Sequence, residues 1–283
     1  MRAEIARAAE GIREDRGRGA RELALEALAA LAAIAPTANE DELRAAAQAL
    51  AQARPSMAAI ENAVAQAWQR YRESGNGPEA VRATIQELER SAGRLVEAAR
   101  NALPTGTIIT LSYSSTVLEA LRRLQPARVI VAESRPLNEG VKAAEALAAS
   151  GIHVTLITDA QVGLFVRQAE AAVVGADAIR PDGSFVNKAG TRLLALAARE
   201  AKVPLYVVSE TMKAGAAREP AEEGDPREVY PDEGLDVRNV YFEEVPARLV
   251  TAYITEHGLA RPSEMRRYAR RAQELLRDLM ATN

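Results

Sequence analysis

A change of period near residue 104 constrains this chain more than any other feature. Before it, apolar residues recur at three- and four-residue spacing, as in Leu23, Ala27, Leu28, Leu31 and again in Leu43, Ala46, Ala47, Leu50. That spacing marks one stripe of a helix. After it, short runs rich in Val and Ile, at 107–111, 128–132, 153–157, 171–174 and 205–208, alternate with helical stretches at about 115–124, 138–150, 160–168 and 188–201. Such alternation predicts βαβ units, hence a parallel sheet with helices on both faces. The runs are nearly uniformly apolar, as expected where both faces are covered. The predicted fold class is α/β. A helical N-terminal domain spans residues 1–103, and a parallel-sheet domain spans 104–283, with a ligand rim and a C-terminal helix.

Breaks near Arg16-Gly17-Arg18-Gly19, Pro36-Thr37, Arg54-Pro55-Ser56 and Gly75-Asn76-Gly77-Pro78 divide the first domain into four or five helices. A long helix, about 78–101, leads out of it. Residues 214–239 are charged and hold Pro220, Pro226 and Pro231, which reads as a long loop. Pro246 is expected to open a short helix, 250–255 to form a last strand or helical turn, and about 262–280 to form a final helix. Its Arg266, Arg267, Arg270 and Arg271 read as a solvated face.

Several function classes are excluded. The chain has no cysteine, which rules out disulfides, a thiolate nucleophile and thiolate metal sites. Its two histidines, His153 and His257, lie far apart, so no metal site is expected, and no cofactor is called for. No apolar run approaches the roughly 20 residues that span a bilayer, and the charged start MRAEIARAAEGIRED has no signal-peptide core. The expected location is the cytoplasm, with no membrane contact. A net charge of −3 gives no reason to expect direct nucleic-acid binding. Of 36 basic residues only Lys142, Lys188, Lys202 and Lys213 are lysine, so lysine is expected to mark places that need a compact ammonium.

Chemistry-bearing residues cluster where the predicted strands end. Ser112-Tyr113-Ser114-Ser115-Thr116 follows the first, and its hydroxyls at a helix start suit either a phosphate or a plain N-cap. Glu133-Ser134-Arg135-Pro136 follows the second, with a guanidinium able to fork onto a phosphate. Thr158-Asp159 follows the third. Gly175-Ala176-Asp177 follows the fourth, and a helix is expected to open soon after on Asn187-Lys188-Ala189-Gly190-Thr191. Ser209-Glu210 and then Lys213 follow the fifth. Ser, Arg, Asp, Asn and Lys on one rim suit an anionic, polyhydroxylated ligand.

In order along the chain, Arg18-Gly19-Ala20, Arg54-Pro55-Ser56, Glu133-Ser134-Arg135-Pro136, the run from Gly151 to Asp159, Gly175-Ala176-Asp177, Asn187-Lys188-Ala189-Gly190-Thr191 and the segment from Phe242 through Pro246 to Glu256 resemble a known family. It comprises the alpha, beta and delta subunits of initiation factor 2B, methylthioribose-1-phosphate isomerase and archaeal ribose-1,5-bisphosphate isomerase. The resemblance implies a Rossmann-like second domain, a homo-oligomer (a dimer or larger) and a phosphosugar site between the domains. In the isomerases it implies a catalytic Cys after the first strand paired with the Asp of Gly-Ala-Asp, here Asp177. Asp177 lies at an apolar strand end, where a raised pKa would suit acid–base work. The Cys position holds Ser112, and Leu111-Ser112-Tyr113-Ser114 is similar to the alpha subunit's Ala-Tyr-Ser. A serine hydroxyl is far less acidic than a thiol and has no neighbouring His to activate it.

Three readings follow. The first is a regulatory or scaffold protein related to initiation factor 2B that binds a phosphorylated sugar or nucleotide. In it Arg18, Arg54 and Arg135 hold phosphate, with Gly19, Ala20 and Ser114 beside them, and Asp177, Asn187 and Lys188 hold sugar hydroxyls. The second is an aldose–ketose isomerase acting on ribose 1,5-bisphosphate or methylthioribose 1-phosphate, with Asp177 as acid/base and Ser112 a weak substitute for Cys. The third is a ligand-free assembly subunit.

Overall fold

The computed structural model describes residues 2–15, 18–215, 223–232 and 234–281. Five helices come first: α1 (Ala3–Glu14), α2 (Ala20–Ile34), α3 (Glu40–Ala51), α4 (Ala58–Ser74) and α5 (Gly77–Ala102). Their boundaries follow from local chemistry. Asn39 opens α3 through a reciprocal capping box with Glu42. Gly75, at φ 68°, closes α4, and the Asn76 side chain caps α5. The buried faces are Ala-rich, which lets the helices approach closely around Leu23, Leu28, Leu50, Ile60 and Trp68.

The 26 residues of α5 belong to two cores. Val81 and Leu88 pack into the helical layer, while Leu95 and Ala99 pack on the sheet, followed by Leu103 just past the helix end. The last helix, α10 (Met265–Met280), is shared in the same way. Met265 and Ala269 pack on the sheet, and Leu275 and Leu279 return to the helical core. A 3-10 turn, Pro262–Glu264, leads into it.

The main sheet contains β1 (Thr107–Leu111), β2 (Arg128–Ala132), β3 (Val154–Ile157), β4 (Ala171–Val174), β7 (Leu205–Val208), β9 (Ala252–Thr255) and β10 (Gly258–Ala260). The order is β10-β9-β7-β4-β1-β2-β3, parallel throughout except for the antiparallel β10 edge. Helices α6 (Ser115–Leu124), α7 (Glu139–Ala148), α8 (Val162–Phe165) and α9 (Thr191–Glu200) connect the strands. The chain moves outward from β1 to β3, then crosses to the other side of β1 for β4. The strand order therefore reverses between β1 and β4, and a crevice opens above their carboxyl ends.

The second sheet was not foreseen. β5 (Ala178–Ile179), β6 (Phe185–Lys188) and β8 (Phe242–Val245) form an antiparallel trio. Asn187 and Lys188 therefore end a strand instead of opening a helix, and α9 starts at Thr191. The expected helix over 160–168 is a single α-turn, α8, between two 3-10 turns. Pro246 opens only the 3-10 turn Ala247–Leu249. Of the expected 214–239 loop, residues 216–222 and 233 lie outside the described residues. The rest carries a 3-10 turn, Pro226–Glu228, and Asn239 donates to Glu228 at 2.8 Å.

Candidate functional site

The crevice above β1 and β4 is roofed by the helical layer, which leaves a cleft of about 820 Å³. On the helical side it is lined by Arg18, Gly19, Ala20 and Arg21 at the start of α2, and by Arg54 between α3 and α4. On the sheet side it is lined by Ser112, Tyr113 and Ser114 after β1, Asp177 after β4, Asn187 and Lys188 at the end of β6, and Lys213 after β7.

Each group is held by its surroundings. Ser112 sits at φ 61°, a conformation that costs a non-glycine residue on the order of 1–3 kcal/mol. It is braced by its backbone N–H, which donates to Ser134 Oγ at 2.7 Å. Ser134 is itself at φ 60°, and its N–H donates to Asp159 at 2.9 Å. The ends of β1, β2 and β3 are thus tied in series. Gly175 lies so close to the start of α6 that a Cβ there would meet Ser114 Oγ at 2.8 Å, and the Ser114 side chain caps α6 at Val117. Lys213 is buried and donates to the Ala176 carbonyl at 2.7 Å. Lys188 pairs with Glu139 at 2.7 Å and lies over the rings of Tyr241 and Phe242 at 4.9 and 5.1 Å. Asp15 organises the helical wall. Its carboxylate pairs with Arg18 at 2.7 Å and its carbonyl accepts from Arg54 at 2.5 Å. Asp15, and then Glu26, hold the Arg18 guanidinium even more firmly protonated than usual.

Among the described residues, six cations line the cleft, Arg18, Arg21, Arg54, Lys142, Lys188 and Lys213, against three carboxylates, Glu22, Glu139 and Asp177. The excess of positive charge, with Asp177 and Asn187 among it, suits a small anionic ligand carrying hydroxyls.

Of the residues expected on the rim, Arg135 does not line the cleft. Its side chain is exposed, and its backbone N–H is spent on Asp159 at 2.8 Å. From that motif it is the Ser134 hydroxyl that touches a cleft residue, accepting from the Ser112 backbone N–H. The N–H groups at the helix start after Lys188 are already engaged. The Glu243 carboxylate already accepts from Gly190 N and Arg192 N, at 2.7 and 2.9 Å. Arg21, Glu139 and Lys142 were not expected in the site, whereas Lys213 was expected on the rim after the fifth strand without a stated ligand role, and it lines the cleft. The rarity of lysine was the available signal, because Lys142, Lys188 and Lys213 all line the cleft and only Lys202 does not.

The sequence model of the Initiation factor 2 subunit family matches residues 16–262, most of the chain. The chain belongs to this family. The family has both translation and metabolic members similar to it. The eIF-2B subunit 2-like protein of Pyrococcus abyssi is 36% identical over 267 residues, covering 89% of this chain and 94% of that one. The ribose 1,5-bisphosphate isomerase of Archaeoglobus fulgidus is 34% identical over 288 residues, covering 93% and 91%. The crystal structure of the translation initiation factor eIF-2B of Pyrococcus horikoshii OT3 superposes with a TM-score of 0.82 at 32% identity, covering 93% and 99%. In this initiation factor 2 family member, the described residues include no helix long and apolar enough to cross a membrane.

Proposed function

We propose that the cleft binds a phosphorylated sugar or nucleotide and that the protein works as a regulatory or scaffold subunit, a homo-oligomer of the cytoplasm. The observation that carries this reading is the convergence of cations from both layers on one cleft whose β1 end presents Ser112. In this reading Arg18, Arg54, Lys188 and Lys213 hold phosphate. Asp177 and Asn187 accept from and donate to the sugar hydroxyls. No cysteine or histidine lines the cleft among the described residues, so they offer it neither a thiol nor an imidazole.

The second reading, an aldose–ketose isomerase, is favoured by one observation. Ser112 and Asp177, at the ends of the adjacent strands β1 and β4, line the same cleft. Moving hydrogen between neighbouring carbons requires a paired acid and base, or groups that polarise a hydride shift. Ser112 is a poor partner for that work.

A thermal-shift series with ribose 5-phosphate and adenosine 5′-phosphate tests the first reading. A ligand at a hundredfold excess over its Kd adds about 2.7 kcal/mol to apparent stability, and a flat response to both removes the reading. Ribose 1,5-bisphosphate given to Ser112→Cys separates the two. Turnover gained only in that variant marks an isomerase scaffold that lacks its thiol.

A further inference from the structure

Glu210 is not in the lining of the cleft but stands beside Arg21, which is. Its side chain is only 4% exposed. Charged and polar groups reach it from every side. Arg21 of α2 approaches to 3.7 Å. Ser91 of α5 lies at 3.4 Å. Lys213, three residues on in the same turn, adds an opposite charge, and Glu256, after β9, adds a like one. Glu256 is itself fixed by the backbone N–H and hydroxyl of Thr211, at 2.9 and 2.5 Å.

Neither cation beside Glu210 is fully engaged with it. Arg21 makes its hydrogen bond to the Leu88 carbonyl at 3.3 Å, and its buried Nε has no hydrogen-bond partner. The Lys213 ammonium is directed at the Ala176 carbonyl. Burial pushes the Glu210 carboxyl up, against the pull of Lys213 and Arg21. Both cations line the cleft, one from the helical layer and one from the sheet rim.

We propose that Glu210 is a positioning residue for anion binding, which draws Arg21 and Lys213 together from the two walls and releases them to a bound phosphate by taking up a proton. The inference rests on the anion-binding reading above. A phosphate on Arg21 and Lys213 adds negative charge next to Glu210 and withdraws its compensation. The protonated carboxyl is then favoured. Binding therefore tightens as Glu210 becomes neutral and weakens as pH rises and leaves it charged.

The test is titration calorimetry of ribose 5-phosphate at pH 6, 7 and 8, in paired buffers of different ionisation enthalpy. It compares the wild type with Glu210→Gln, whose amide resembles the protonated acid. We expect the wild type to take up protons beyond those of the phosphate's own ionisation. The variant should lack that excess and bind on the order of tenfold more tightly than the wild type at pH 8. Proton uptake in the wild type that the phosphate alone accounts for overturns the inference and leaves the binding reading standing, and this arm needs no variant. The same excess in both proteins also overturns it, as does a folded Glu210→Gln protein that no longer binds. A wild type that binds nothing at any pH overturns the binding reading and this inference with it.

Discussion

At the scale of single residues, the cleft is a set of cations fixed by their neighbours. Lys188 is held by Glu139 on one side and by the rings of Tyr241 and Phe242. Such an ammonium loses little side-chain freedom when an anion arrives. Its charge-assisted hydrogen bonds are worth about 1.5–3 kcal/mol. We therefore expect Lys188→Ala to weaken ribose 5-phosphate binding by roughly ten- to a hundredfold, measured by calorimetry. Lys202, on the surface after α9, is the control, because it lies away from the cleft. An equal loss from Lys202→Ala would show the effect to be general electrostatics. The lysine signal was legible in the sequence because the chain uses arginine nearly everywhere else. The placement of the Arg135 side chain outside the cleft was not, because spacing places a residue at a strand end without giving its side chain a direction.

At the scale of elements, the strands buried on both faces could be read from sequence. β1, β2, β4 and β7 occupy the predicted spans because an uninterrupted apolar run between turn signals has few other uses in a chain of this kind. The antiparallel trio could not. β5 is two residues long, β6 ends on Asn187 and Lys188, and the partner that makes β6 a strand is β8, far along the chain. Asn-Lys-x-Gly-Thr looks like a helix start, yet its cap is Gly190 at φ 100°, satisfied by Glu243 from β8. The end of β4 and the start of α6 fit closely. A methyl group at Gly175 would meet Ser114 Oγ at 2.8 Å and Ser114 Cβ at 3.1 Å. Gly175→Ala must therefore displace the start of α6, and we expect it to cost about 1–3 kcal/mol by denaturant unfolding. A loss below about 0.5 kcal/mol, the range of ordinary surface substitutions, would mean that α6 yields freely and that the rim is not rigid.

At the scale of the molecule, α5 and α10 join the two layers, each contributing residues to both cores. The cleft between the layers is thus walled by elements that cannot move apart without disturbing shared packing. On the outside of the sheet layer, Leu164 of α8 and Leu193 of α9 are 72% and 64% exposed, and α8 contacts α9. Exposed apolar residues grouped in this way favour association. We expect a homodimer through the sheet domain, seen by light scattering at micromolar concentration, and a monomer there would remove that expectation. We propose that this initiation factor 2 family member keeps a phosphosugar cleft without isomerase chemistry, since losing a positioned acid or base commonly costs about a hundred- to ten-thousandfold in rate. The most direct measurement is NMR of ribose 1,5-bisphosphate with the wild-type protein, which reports binding and conversion in one sample. We expect line broadening that saturates with protein and no ketose product. Conversion on the order of one per second or faster, an ordinary enzymatic rate, would contradict it.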